Sequence, residues 1–200
     1  MHKDHNQPEF WDKKYINDET DWDTKSANPV FKSILKDHET FPPGKILIMG
    51  CGKGYDAITA AQNDFDTVGI DFSFHALAIA KGLAAHDKLN IKFLQQDFFL
   101  LDENYYNSFD YIYDYTTLCA IDPSRKNEYA RKVFQLLKKG GKFIAILFPV
   151  ERRESGPPFG LDVVEIFQIF SQYLKLQFYS KSIESIKPRK GREVIQVYVK

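Results

Sequence analysis

Two cysteines, Cys51 and Cys119, stand far apart in a chain of 200 residues. Two such thiols make neither a disulfide framework nor a zinc cluster, and both read as small packing residues. An excess of one charge is also missing. The 27 basic residues face 27 acidic ones, for a net charge of +0. That balance gives no electrostatic footprint for nucleic acid or an anionic membrane. Long hydrophobic runs are absent too: the longest, Phe143 to Val150, falls far short of the roughly 20 residues a bilayer requires. The stretch from Met1 to Phe10 is polar and lacks the apolar centre of a signal peptide, so the expected location is the cytoplasm. The histidines His2, His5, His38, His75 and His86 are scattered, without metal-ligand spacing, and there is no internal repeat.

What is there is an alternation of two periods. After the break at Pro42-Pro43-Gly44, Lys45 to Met49 reads as a buried strand and Tyr55 to Gln62 as a helix. Thr67 to Ile70 is a second strand, ending at Asp71. Ser73 is a helix cap for a segment whose Ala76, Leu77, Ala80, Leu83 and Ala84 share one face. Ile91 to Leu94 and Phe109 to Tyr115 are further strands, and Tyr111 and Tyr113 read as packing residues. Asp122-Pro123 signals a helix start, with Ala130, Val133, Phe134 and Leu137 as its stripe and Gly140-Gly141 as its stop. Phe143 to Phe148 is a fifth strand. Asp162 caps a helix carrying Val163, Ile166, Phe167 and Phe170, and two strand-like runs, Leu174 to Ser182 and Glu193 to Val199, close the chain. Lys187 to Arg192 between them reads as an exposed turn of ordinary surface charge. This predicts an α/β fold: a mostly parallel, seven-stranded, Rossmann-like sheet with helices on both faces and an antiparallel hairpin at its carboxyl-terminal edge. Residues 1–42 read as an attached segment of the same domain, and residues 43–200 as its core.

Open sheets of this type bind ligands beyond the carboxyl ends of their strands. Gly50, Asp71, Asp97 and Asp114 all fall at such ends. Gly50-Cys51-Gly52-Lys53-Gly54 follows the first strand and opens the first helix. A dinucleotide fingerprint needs glycine at its first, third and sixth positions; here the sixth is Tyr55, which speaks against a nicotinamide-dependent oxidoreductase. Glycine at the first, third and fifth is the usual methyltransferase form. Asp71, followed by Phe72, stands roughly 20 residues beyond Gly50, where a carboxylate accepts from ribose hydroxyls. A tight turn with a helix-capping acid is the plainer account of the same residues. Asp97 can accept from an adenine amino group and Phe98 can pack on the ring; a solvated loop acid is the alternative. Asp114-Tyr115 ends the fourth strand, where the sulfonium of a methyl donor would sit, and these two are the candidate catalytic residues. Amino-methylating enzymes of DNA often carry Asn/Asp-Pro-Pro-Tyr at this place. The sequence here is Asp114-Tyr115-Thr116-Thr117, which argues against such substrates. The aromatic stretch Phe10 to Tyr15, together with Asp21-Trp22-Asp23, reads either as a helix packed on the domain or as a lid. As a lid its rings would attract a sulfonium and keep water from the reaction.

Taken together, the chain resembles the thiopurine methyltransferase superfamily, in particular its thiol and halide methyltransferase branch. The stretches that carry the likeness are FWDKKYINDETDW from Phe10 to Trp22, GCGKGYD from Gly50 to Asp56, and DYTTLCAIDP from Asp114 to Pro123. Phe148-Pro149 followed by Gly156-Pro157-Pro158-Phe159 is a fourth. The resemblance implies S-adenosylmethionine contacts at Trp11, Tyr15, Trp22, Gly50, Asp71, Asp97, Phe98 and Tyr115. Cys51, Gly52, Gly54, Phe72 and Asp114 are their neighbours in the candidate donor site, and no metal is expected. It also implies methylation of a small soft nucleophile such as a thiol, thiopurine, thiocyanate or halide. The expected partner is that small acceptor, not nucleic acid or membrane, and the expected state is a monomer or weak homodimer. Arg152 and Arg153 are either a solvated loop or an attractor for an anionic acceptor. A small-molecule O- or N-methyltransferase and a non-catalytic S-adenosylmethionine-binding module remain alternatives.

Overall fold

Lys45–Met49 (β1) is extended because it is a run of large apolar residues stopped by glycine. Ile46, Leu47, Ile48 and Met49 are all at most 2% exposed, and each such side chain contributes roughly 1.5–3 kcal/mol by leaving water. The computed structural model from which these positions are taken describes residues 5–153 and 155–200. Its Cα packing divides at Leu100 into two compact units.

In the first unit, β1 runs parallel to β2 (Asp66–Asp71), from Lys45 opposite Asp66 to Met49 opposite Ile70. β3 (Lys92–Gln95) runs parallel to β2 on its other side, ending with Asp71 opposite Gln95. Parallel neighbours need helical crossovers, and the chain supplies them. They are α3 (Tyr55–Gln62), burying Ala57, Ile58 and Ala60, and α4 (Phe74–His86), burying Ala76, Leu77, Ala80 and Ala84. Ser73 caps α4 as expected, its Oγ accepting from Ala76 N at 3.1 Å. Leu83, expected on the buried face, is 37% exposed; it lies at the border of a face centred on Ala76, Ala80 and Ala84. Before β1 stand α1 (Pro8–Ile16), which packs against α4, and α2 (Pro29–Lys36). Asn28 caps α2 by accepting from Val30 N and Phe31 N.

In the second unit, β4 (Phe109–Tyr115) pairs in parallel with β5 (Leu137–Leu147), from Tyr111 opposite Lys142 to Tyr115 opposite Ile146. Asp122 caps a short 3-10 turn, Pro123–Arg125, and the helix proper, α5, is Lys126–Leu136. The helix therefore stops before Gly140-Gly141, and those glycines lie within β5. Their place has a physical reason. Gly140 takes φ +79°, and a Cβ on Gly141 would meet Lys138 O at 2.9 Å and Phe109 O at 3.0 Å, where the β4–β5 register shifts. α6 (Val163–Phe170) is capped by Asp162. β6 (Lys175–Ser180) and β7 (Val194–Val199) pair antiparallel, and β7 is also antiparallel to β5. The core is aromatic: Phe143, Phe170 and Tyr198 are fully buried, with centroids 4.9 Å apart for Phe143–Phe170 and 5.2 Å for Phe170–Tyr198.

Hydrogen bonding orders the strands β3-β2-β1-β4-β5-β7-β6 in one seven-stranded sheet. It is mostly parallel, with the expected antiparallel hairpin at the end. Among the described residues, no helix is long and apolar enough to cross a membrane.

Candidate active site

The turn after β1 is made by glycine. Gly50, Gly52 and Gly54 have φ of 51°, 52° and 85°, a left-handed conformation that costs other residues roughly 1–2 kcal/mol. Cys51 N donates to Ile70 O at 3.0 Å and Gly54 N to Cys51 O at 2.9 Å, which locks the loop to β2. Gly54 also permits a close approach, since a Cβ there would lie 2.8 Å from Ala80 Cβ.

Asp71 closes this loop from the end of β2. Its Oδ2 accepts from Gly52 N at 2.9 Å and its Oδ1 from Ser73 N at 2.8 Å. Burial pushes its carboxyl above the ordinary value, against the pull of those backbone donors. Asp97 follows β3 and accepts from Phe99 N at 2.9 Å, starting the turn that sets the Phe98 and Phe99 rings 4.1 Å apart. Phe98 is buried and Phe72 half-buried.

The aromatic segment belongs to the same unit. Trp11 and Trp22 meet edge to face at 5.3 Å, and Tyr15 and Trp22 at 5.8 Å. Trp22 Nε1 donates to Tyr15 Oη at 3.4 Å. That hydroxyl lies over the glycine loop: a Cβ on Gly52 would come within 2.9 Å of it. Burial, and next to it the Asp71 charge, push the Tyr15 phenol far above its ordinary value. Three contacts that sequence reading missed secure the segment. Asp12 accepts from Ser73 Oγ at 2.5 Å and His75 N at 3.2 Å. Lys53 pairs with Asp23 at 2.8 Å. Asn28 N donates to Asp56 Oδ1 at 2.8 Å. The cap signal at Ser73 was visible in the sequence, but nothing in the sequence pairs it with Asp12. Trp11, Tyr15, Trp22, the loop and Asp71 are thus brought together. A left-handed glycine cradle beside a strand-end carboxylate suits a ligand with ribose hydroxyls and an adjoining charged tail.

In the second unit, Asp114 is 2% exposed. It accepts from Thr117 N at 3.0 Å, from Leu118 N at 3.1 Å, and from the Tyr129 hydroxyl in a short hydrogen bond. Burial raises its carboxyl to about 6, opposed by those donors. The Tyr115 hydroxyl donates to Glu193 Oε1 at 2.6 Å, and the Arg189 guanidinium carbon lies 4.8 Å from the Tyr115 centroid and 4.6 Å from that of Phe148. Cys119 is buried and its thiol donates to Thr116 O at 3.1 Å, in keeping with a packing role. Tyr111 and Tyr113 are buried, as expected of packing residues. Arg152 and Arg153 are exposed, and Arg153 pairs with Glu151 at 3.3 Å.

The segment from Lys187 to Arg192 corrects its sequence reading. It is a turn, but Arg189 is only 4% exposed and Glu193 beside it only 2%. The cation is drawn inside by two aromatic faces from distant parts of the chain, Tyr115 and Phe148, and by the buried carboxylate of Glu193 four residues on. Pro188 and Gly191 announce the turn, and no local signal announces the burial. Among the described residues, no three His, Cys, Asp or Glu side chains converge as a metal site.

A family model described as thiopurine S-methyltransferase matches residues 6–198. The chain is 33% identical over 189 residues to a probable thiol methyltransferase 2 of Arabidopsis thaliana, covering 92% of this chain and 81% of that protein. It is 32% identical, with the same coverage, to thiocyanate methyltransferase 1 of Brassica oleracea. The fold is similar to that of a crystal structure of Burkholderia thailandensis 1,6-didemethyltoxoflavin-N1-methyltransferase with bound S-adenosylhomocysteine. That match has a TM-score of 0.74 at 16% identity and covers 96% of this chain and 86% of that one.

Proposed function

Since the chain belongs to the thiopurine S-methyltransferase family and is a methyltransferase whose donor is S-adenosylmethionine, we propose that its acceptor is a small soft nucleophile: a thiol, thiopurine, thiocyanate or halide. The observation that carries this reading is the state of Asp114. Both of its oxygens are taken by the turn after β4 and by Tyr129. The acid at the end of β4 therefore organises that turn and is not presented as a base. A thiolate or halide needs no base, whereas a hydroxyl or an ammonium acceptor does. Catalysis then rests on proximity and alignment.

Bound S-adenosylmethionine supplies an activated methyl group. The residues of this chain hold it and exclude water. Gly50, Cys51, Gly52 and Gly54 give the backbone cradle, and Asp71 with Phe72 receives the ribose. Asp97 and Phe98 take the adenine, and Trp11, Tyr15 and Trp22 close over the charged end as a lid carried by residues 1–42. Their mutual edge-to-face packing supports that assignment. Tyr115 borders the acceptor and Asp114 positions it. The neutral charge supports an enzyme that acts on small molecules and not on nucleic acid or an anionic membrane, and a cytoplasmic monomer or weak dimer belongs to the same proposal.

The test couples calorimetry to turnover. S-adenosylmethionine and its demethylated product are titrated into the protein, with a nicotinamide dinucleotide as control, and turnover is read against thiols, thiocyanate, iodide, phenols and amines. Micromolar donor binding is expected, weakened at least about tenfold in Asp71→Ala, or about 1.4 kcal/mol, and weakened less in Trp22→Ala. Turnover is expected with the sulfur and halide acceptors. Turnover confined to phenols or amines would overturn the acceptor assignment.

A further inference from the structure

The Tyr115 hydroxyl has one proton, and the structure commits it. It is donated at 2.6 Å to Glu193 Oε1, while the other Glu193 oxygen accepts from the Ser185 hydroxyl in a short hydrogen bond. Glu193 is 2% exposed, and a buried carboxylate is costly without a counter-charge and donors. Arg189, 4% exposed, brings the charge: its Nη1 stands 4.0 Å from Oε1. The same guanidinium covers the rings of Tyr115 and Phe148, a contact worth most where water is excluded. An aromatic ring at a strand end, a carboxylate just before β7 and a cation from the intervening turn thus form one closed clasp.

We propose that Glu193, backed by Arg189, is a positioning residue that fixes the orientation of Tyr115 and holds the proton of its hydroxyl away from the acceptor. The proposal rests on the reading that Tyr115 borders the acceptor. It has a chemical consequence for that boundary. A phenol whose proton is engaged offers only lone pairs to a bound molecule. Tyr115 then receives a hydrogen bond from a thiol that enters as S–H and aligns its sulfur, the thiol giving up its proton to solvent before the thiolate attacks, and gives none to a bare anion such as iodide or thiocyanate. Acceptors bearing an S–H group are favoured over bare anions.

The charged groups that face the phenol are Arg189 and Glu193. Burial and the Glu193 carboxylate push its ionisation far upward, against the pull of Arg189. Glu193→Gln keeps the shape and removes the charge, leaving Arg189 to favour the tyrosinate.

The experiment compares wild type, Tyr115→Phe, Glu193→Gln and the double variant, reading kcat, KM for each substrate and their pH profiles, together with the alkaline tyrosinate absorbance. In Glu193→Gln, kcat with a thiol is expected to fall about tenfold while KM for S-adenosylmethionine stays within about twofold (about 1.4 kcal/mol in the transition state only). An alkaline limb in kcat is expected at lower pH than in wild type. Tyr115→Phe should lose a similar factor with thiols, less with iodide, and show no such limb. The double variant should be no worse than Tyr115→Phe. Additive losses, or a Glu193→Gln profile that matches wild type, would overturn the clasp. If Tyr115→Phe keeps full activity with every acceptor, the placement of Tyr115 fails first and the clasp with it, while the methyltransferase assignment stands. Should Glu193→Gln not fold, the alkaline titrations of wild type and Tyr115→Phe decide. They are expected to superimpose up to unfolding, and an additional tyrosine titrating in the wild type overturns the proposal.

Discussion

Replacing Asp114 by asparagine removes a carboxylate that folding places in the interior. Its carboxyl sits at about 6 instead of the ordinary 3.8, chiefly through burial. The folded protein therefore holds this proton more tightly than the unfolded chain does. Stability from this group is greatest below the ordinary value and is lost as the pH rises through about 6. A shift of roughly two units, at about 1.4 kcal/mol each, makes the full loss about 3 kcal/mol. About 2 kcal/mol of it develops between about pH 4 and about pH 7. Asparagine has no such dependence. Its amide carries a fixed cost instead, because the NH2 must face one of the donors that Asp114 satisfies, Thr117 N, Leu118 N or the Tyr129 hydroxyl. That cost is about 1–3 kcal/mol at any pH. The unfolding free energy of wild type minus that of Asp114→Asn is thus expected to fall by about 2 kcal/mol between the two pH values. Urea unfolding followed by circular dichroism at several pH values measures it. A difference that is flat with pH would refute the reasoning, and one that grows with pH would reverse its sign.

Gly52→Ala forces φ of +52° on a residue with a Cβ and sets that atom 2.9 Å from Tyr15 Oη; a loss of about 1–2 kcal/mol and about tenfold weaker donor binding are expected, read by denaturation and calorimetry. Gly82→Ala is the counterpart within α4, where a Cβ meets nothing within 4 Å. It should gain about 0.5–1 kcal/mol, visible as a rise of a few degrees in Tm. Lys53→Met leaves Asp23, whose side chain is 6% exposed, without its 2.8 Å partner. The expected loss is about 1–3 kcal/mol, and an unchanged urea midpoint would show that the pair contributes nothing.

The strands were legible because their signals are local. KILIM before a glycine, an acid at the end of the second strand and a serine before an apolar stripe each specify geometry within a few residues. Gly140-Gly141 misled for the opposite reason. Glycine commonly ends helices, but here a carbonyl from β4, far away in sequence, requires the missing side chain. Arg189 was invisible on the same ground: a charged turn residue reads as solvated until the rings that receive it are placed. Of the proposed donor site, the glycine turn after β1 and the position of Asp71 at the end of β2 could be read from spacing. The way Asp12 and Lys53 attach the aromatic segment could not, since no period links residues so far apart.

Ser73 donates through its hydroxyl to Asp12 and through its backbone to Asp71, while capping α4. The aromatic segment and Asp71 are thereby adjacent links of one chain of hydrogen bonds. A chimaera that exchanges the first 42 residues for a segment lacking the Asp12 carboxylate would leave Ser73 without that partner and disturb Asp71 along with the aromatic segment. Grafts meant to alter acceptor choice alone would therefore also alter donor affinity, unless position 73 and the start of α4 travel with them. For recombination, the seam of this protein lies in the helix cap, downstream of the proline-rich break that the sequence displays.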